Sequence, residues 1–214
     1  MYEKESIDYK GMSIKIYYDE DPASPREWDN LGTIYSNHRD YNPDGHKIDE
    51  LFNEDGQLNE KELDKNYIWL PIYAYIHSGI TISTGHGYPY NDRWDSGLFG
   101  IIAVSKNRVR GEYACKSITA ERRKKVEELL KCEIETLDQY FTGQVYGFIV
   151  EDKDESHVDS CFGYFGDKGI KDAIEEAKSV IDCELRRRLS SHIAKRKAQI
   201  KSHAPFYART AFAF

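Results

Sequence analysis

The sequence predicts an α+β fold: a mainly antiparallel sheet with two long helices packed on it, in a single domain. Three observations carry this. First, Tyr67–Lys106 holds two apolar runs, Ile68–Ile76 and Leu98–Val104. Both are β-branched and aromatic, and too short and too poor in Ala, Glu and Lys for good helices, so they read as buried neighbouring strands. Second, two later stretches keep three- and four-residue apolar spacing, the mark of helices with one buried face. Third, the patterns arrive in the order β, β, long polar stretch, β, β, α, β, β, α, which suits helices gathered on one face of an antiparallel sheet.

Taken in order, Met12–Tyr18 (MSIKIYY) alternates and reads as a half-buried strand. Asp19–Arg26 carries two prolines and a run of acids, hence a loop. Glu27–Thr33 is a turn holding Trp28, Ile34–His38 a short strand, and Tyr41–His46 (YNPDGH) a turn by composition. Ile48–Lys65 is polar and acidic, a short helix and then a loop. Within it Asn53, Asp55, Gly56, Leu58 and Glu62 fall at places three, five, six, eight and twelve of a calcium-binding EF-hand loop, but Leu51 stands where the first carboxylate is needed. An acidic surface loop is the expectation.

After the central strands, Asn107–Ser117 includes a helical turn. Thr119 is a good N-cap for a helix from about Ala120 to Tyr140, with Val126, Leu129, Leu130, Ile134, Leu137, Tyr140 and Phe141 as its apolar stripe. Val145–Val150 and Val158–Phe165 form a hairpin around the charged turn Glu151–Ser156. Gly166-Asp167 opens a last helix to about Lys201, striped by Ile170, Ala173, Ile174, Ala177, Ile181, Leu185, Leu189, Ile193 and Ile200.

The chain has 214 residues, 40% hydrophobic and 13% aromatic, enough for a real core. Cys115, Cys132, Cys161 and Cys183 make no C-x-x-C pair and fit neither a zinc ribbon nor a disulfide framework. Cys132 and Cys161 are expected to be buried small hydrophobes. The opening YEKESIDYK is no signal peptide, and no apolar run reaches the length of a membrane span. The expectation is a cytoplasmic protein with reduced cysteines and no membrane partner.

Net charge is −7, unevenly spread. No acid follows Glu184, while eight Lys or Arg lie between Leu185 and Phe214, leaving 22 cations against 37 acids elsewhere, a balance of −15. An acidic α+β domain over residues 1–185 and a basic helix end and tail over 186–214 follow from this asymmetry, which points to a charged partner or to self-contact.

Candidate site residues gather between the central strands. His77, Ser78, Thr81 and Ser83, then Tyr88, Tyr90, Trp94, Asp95 and Ser96, form a polar and aromatic loop on strand scaffolding; Trp28 and Asp29 add a second aromatic–acid pair. Adjacent His77 and Ser78 point to opposite faces of a strand and no G-x-S-x-G elbow occurs, so a hydrolase triad is not spelled out. Asp95 or Ser96 also suits the capping of a tight turn. Asp29, His38, His77, His86, Asp92 and Asp95 have no metal-ligand spacing, and no cofactor or metal is expected. Gly79, Gly85 and Gly87 offer only a weak phosphate nest. Arg186, Arg187, Arg188, Lys195, Arg196 and Lys197 suit nucleic acid, or simply a solvated helix end.

The segments Ser24–Thr33 (SPREWDNLGT), His38–Asn42, Leu70–Thr84, Arg93–Lys106 (RWDSGLFGIIAVSK), Glu135–Glu151 and Val158–Gly166 (VDSCFGYFG) resemble, in the same order and over nearly the whole chain, a family of proteins carried by phages, plasmids and other mobile elements. The resemblance implies a genomic setting and no activity, cofactor or catalytic residue. Small proteins from that setting are often inhibitors of host defence, anti-CRISPR proteins among them, or modulators of a host machine. The first expectation is therefore a stoichiometric binder of a host protein or nucleoprotein through an acidic, aromatic surface. A small-ligand or nucleotide-binding protein or hydrolase using the His77–Ser96 loop, and a nucleic-acid binder using the basic tail, are the alternatives.

Overall fold

The computed structural model describes residues 2–51, 59–85, 89–90, 92 and 94–203. They form two compact units, one from the described residues of 1–19 and 146–214, the other from Glu20–Val145. Each is a four-stranded antiparallel sheet backed by one long helix.

In the first unit the order is β1 (Glu3–Tyr9), β2 (Met12–Tyr18), β7 (Val145–Glu151) and β8 (His157–Phe165), with α4 (Gly166–His203) on one face. Lys10 and Gly11 both have positive φ, 50° and 80°, the two-residue turn whose twist matches an antiparallel hairpin. Alternation in β2 sends Met12, Ile14 and Ile16 inward. They meet Phe148 and Val150 of β7 and the α4 face made by Ile170, Ala173, Ala177 and Ile181.

In the second unit the order is β3 (Thr33–Ser36), β6 (Ser96–Ser105), β4 (Tyr67–Ile76) and β5 (Ile80–Thr84). α1 (Glu60–Asn66) leads into β4, α2 (Lys106–Glu112) follows β6, and α3 (Ala120–Phe141) covers one sheet face. Central β6 is buried on both sides: Ile102 and Val104 join the α3 core, Ile101 and Ala103 a smaller cluster with Ile48 and Leu63. That is why its sequence is a continuous apolar run and not an alternating one. Thr119 caps α3 by accepting from the Arg122 N–H at 3.3 Å. The Asp138 carboxylate ties α3 to edge strand β5, accepting from the Thr81 hydroxyl and the Ile82 N–H, both at 2.7 Å.

The α+β class, the antiparallel pairing and the neighbouring central strands are as the sequence predicts. Four details differ. The sheet is two sheets, each with its own helix, because β2 pairs with β7 and not with β3; hydrophobic patterning says which face a strand buries, not which strand it finds. The central loop contains β5, so Thr81, Ser83 and Thr84 are strand residues. β1, too polar to stand out, is an extra edge strand. Cys132 and Cys161 are exposed: the buried side of α3 is Val126, Leu130, Ile134 and Leu137, and Cys132 lies off it, while β8 is an exposed edge. α4 runs unbroken through 185 and 186, as the long apolar stripe predicts. The EF-hand-like stretch falls mostly on 52–58, outside the described residues. No helix among the described residues is long and apolar enough to cross a membrane.

Candidate functional site

The second unit presents an aromatic cleft on an unusually well-pinned loop. Ser24 accepts from the Arg26 N–H at 3.2 Å and starts a 3-10 turn, Pro25–Glu27, with proline where its missing N–H costs nothing. Arg26 then turns inward. Its Nε and Nη2 donate to the two carboxylate oxygens of Asp44 at 2.9 and 2.7 Å, Nη1 donates to Glu133 Oε2 at 3.1 Å, and Nη2 also donates to the Gly32 carbonyl at 2.7 Å.

The two acids hold backbone as well. Glu133 accepts from the Leu31 N–H at 2.8 Å and from the Gly32 N–H; Asp44 accepts from the Ile34 N–H at 2.7 Å. The side chains of Arg26, Asp44 and Glu133 are 6%, 13% and 9% exposed. Burial by itself would lower the Arg26 guanidinium, but the hydrogen bonds and charge of Asp44, then of Glu133, outweigh it and raise it above its ordinary value. Gly32 completes the joint: a Cβ there would stand 2.6 Å from Ile102 and Leu130. SPREWDNLGT and the Asp44 turn are thus two ends of one ionic clasp closed by α3.

The clasp holds Trp28 and Asp29 outward. Together with α2 and α3 the loop lines a cleft of about 430 Å³. Trp28 (52% exposed), Leu129 (40%) and Tyr113 (37%) supply its apolar surface. Arg108 bridges its rim, donating to the Asn30 carbonyl at 2.7 Å and standing 3.7 Å from Asp29. The Arg122 guanidinium lies 5.6 Å over the Tyr113 ring. Glu133, which also lines the cleft, is occupied by the N–H donors of Arg26, Leu31 and Gly32. Sequence patterning does not place Tyr113, Leu129 and Arg108 here. Leu129 reads as part of the α3 stripe, and only its place one residue before buried Leu130 gives a hint.

The His77–Ser96 region forms a separate surface. His77 Nδ1 and Asp95 Oδ2 are 2.9 Å apart, and the rings of Tyr75 and His77 stack at 6.5 Å. Trp94 is 95% exposed beside a shallow 280 Å³ hollow that Asp95, Ser96 and Leu98 also line. Asp92, not Asp95, caps the turn, accepting from the Trp94 N–H at 2.7 Å and the Asp95 N–H at 3.3 Å. The Ser96 hydroxyl donates to the Asp92 carbonyl.

Thr81 is bound to Asp138, Ser83 sits in β5 opposite Tyr73, Ser78 lies exposed in the turn after β4, and the Tyr90 ring is 6.0 Å from that of Tyr75. Tyr88, His86 and Gly87 lie outside the described residues. His38 is a folding element: its Nδ1 accepts from the Asp40 and Tyr41 N–H groups. A carboxylate that orients an imidazole is half of an acid–base device, but the Ser96 and Thr81 hydroxyls are directed elsewhere. Among the described residues no three His, Cys, Asp or Glu side chains converge on a metal-sized point.

On α4, Glu184 binds Arg187 at 2.6 Å and Arg188 at 2.7 Å, and Arg188 reaches Asp152 at 3.4 Å. Hydrogen bonds from Arg187 and Arg188 pull the Glu184 carboxyl down to about 2. Two of the expected basic residues are therefore locally paired, while Arg186, Lys195, Arg196 and Lys197 lie on exposed helix. Comparison of the chain with family models, with characterised proteins and with solved structures returns no match.

Proposed function

We propose that the chain is a stoichiometric binding protein of a mobile element, which engages a host protein or nucleoprotein, most simply a component of host defence, through the Trp28 cleft. One observation carries the reading: three large apolar side chains, Trp28, Tyr113 and Leu129, stay exposed around one cleft whose loop is anchored by buried ionic bonds. Aromatic anchors on a rigid support, ringed by polar groups, are the usual makings of a binding hot spot. The acids at this rim, Asp29 and Glu112, favour a partner with basic groups around an apolar centre.

The His77–Asp95 surface supports a second, small-ligand reading, because that pair orients an imidazole beside exposed Trp94. Capture from host lysate by the immobilised protein, read by mass spectrometry and repeated with Trp28→Ala/Leu129→Ala and with His77→Ala/Trp94→Ala, separates the two. The first reading expects one protein recovered at equal amount with the wild type and the second variant, and lost with the first. Equal recovery with both variants contradicts it, and a nucleotide or metabolite released from purified protein moves the assignment to the His77 surface.

A further inference from the structure

The last five turns of α4, residues 186–203, are exposed on every side. At 1.5 Å per residue this arm extends about 27 Å. It carries Arg186, Arg187, Arg188, Lys195, Arg196, Lys197 and Lys201 and no acid. Cations suit the negative end of a helix, but that effect fades within the final turn, and these are spread over five. Among the described residues Lys195, Arg196, Lys197 and Lys201 have no acidic partner. At 100° per residue the cations point all around the helix axis rather than along one face.

A helix with cations on all sides fits a ligand with negative charge on all sides. The arm also has exposed Leu189, Ile193 and Ile200. They do not make a helix–helix seam: spacing of four is kept from Leu185 to Ile193, and Arg196 then stands where the next apolar residue is needed. Two arms would set seven cations against seven. The arm has no Phe, Tyr or Trp between Leu185 and His203 to stack on unpaired bases. A helix of about 10–12 Å diameter enters the major groove of B-form DNA, about 12 Å wide, but not the narrow one of A-form RNA.

We propose that this arm binds duplex DNA in the major groove, its cations neutralising phosphates on both walls. The inference uses a different unit from the Trp28 cleft, and its failure leaves that reading untouched. With residues 1–185 at −15, the arm is the attractive element for a polyanion.

The test is fluorescence anisotropy of the full chain with a labelled duplex DNA of about 20 base pairs, its single strand and the duplex RNA of the same sequence, from about 50 to 200 mM KCl. Duplex DNA should bind best. Lys195→Gln/Arg196→Gln/Lys197→Gln/Lys201→Gln should weaken it at least about tenfold and make the log–log salt slope shallower by about three to four, since each phosphate left unneutralised takes away about 0.9. Leu189→Ser/Ile193→Ser/Ile200→Ser should stay within about twofold. Lys195→Arg/Lys197→Arg/Lys201→Arg, which keeps charge and helix, should retain full affinity, and far-UV circular dichroism reports whether each arm is still helical. The proposal is overturned by no binding up to about 50 µM at low salt, within the non-specific range, or by binding that survives the four-Gln variant. It is equally overturned by loss of binding in the apolar variant, which would mark a protein-docking helix, or by single strand or duplex RNA binding as well as duplex DNA.

Discussion

Replacing Arg26 by Met tests whether the ionic clasp holds the site together. Arg26 donates four hydrogen bonds, two to Asp44, one to Glu133 and one to the Gly32 carbonyl. Met fills much of the same volume and donates none, leaving two mostly buried carboxylates without their cation. Removing one partner of a buried pair costs about 3–5 kcal/mol. The low end is expected, because Glu133 keeps the Leu31 and Gly32 N–H groups and Asp44 keeps that of Ile34.

All three tryptophans, Trp28, Trp69 and Trp94, lie in the Glu20–Val145 unit, so tryptophan fluorescence in a urea titration follows that unit alone. With a slope of about 1–3 kcal/mol per molar urea, a loss of about 3 kcal/mol moves the midpoint down by about 1–3 M. Arg26→Lys, with charge but no planar fork, should fall between. In an Asp44→Asn/Glu133→Gln background Arg26→Met should cost clearly less, since no uncompensated charge remains. A midpoint shift worth under about 1 kcal/mol, no more than a surface pair supplies, would refute the reasoning.

Three further outcomes rest on the same kind of geometry. A methyl group on Gly100 runs into the Tyr35 carbonyl while one on Gly97 meets open space; Gly100→Ala should lose at least about 1–3 kcal/mol and Gly97→Ala should be neutral within about 0.5 in the same titration. Asp92→Ala should lower stability by about 1 kcal/mol as a missing cap, and Asp95→Ala, whose carboxylate meets exposed His77, by under about 0.5; the reverse order of melting temperatures would place the cap wrongly. Glu184 sits at about 2 when folded against an ordinary value near 4.3 unfolded. A depressed carboxyl stabilises above its unfolded value and loses that contribution as pH falls toward 2, so the melting-temperature gap between wild type and Glu184→Gln should be present at about pH 7 and close between about pH 4.3 and 2. A gap that widens in acid would contradict this.

Much of the fold is legible in the sequence because its signals are local. β6 announces itself by a succession of apolar or small residues, Thr119 by standing just before the α3 pattern, and α4 by its long stripe. Pairing is not legible, since β2 finds its partner β7 more than a hundred residues away and nothing in either strand names the other. Burial is misread where an element has a free side: Cys161 has strand neighbours, but those of an edge. At the site, Trp28 and Asp29 are visible as an aromatic and an acid in a turn. The reason they matter is not: Arg26, Asp44 and Glu133 come from three separate segments and look, one by one, like surface charge. Asp92 has the chemistry of a metal ligand and is a turn cap, because an Asx cap depends on backbone N–H groups that leave no mark in the sequence.

The most direct test of the central claim, that the Trp28 cleft binds a partner and does not merely complete the fold, is isothermal titration of the captured host partner with wild type and Trp28→Ala, each with its melting temperature. One partner per chain is expected, with an affinity about 2 kcal/mol or roughly thirtyfold weaker for Trp28→Ala and melting unchanged within about 1–2 °C, as for a half-exposed side chain. Unchanged affinity, or an early melt that accounts for all the weakened binding, would contradict it.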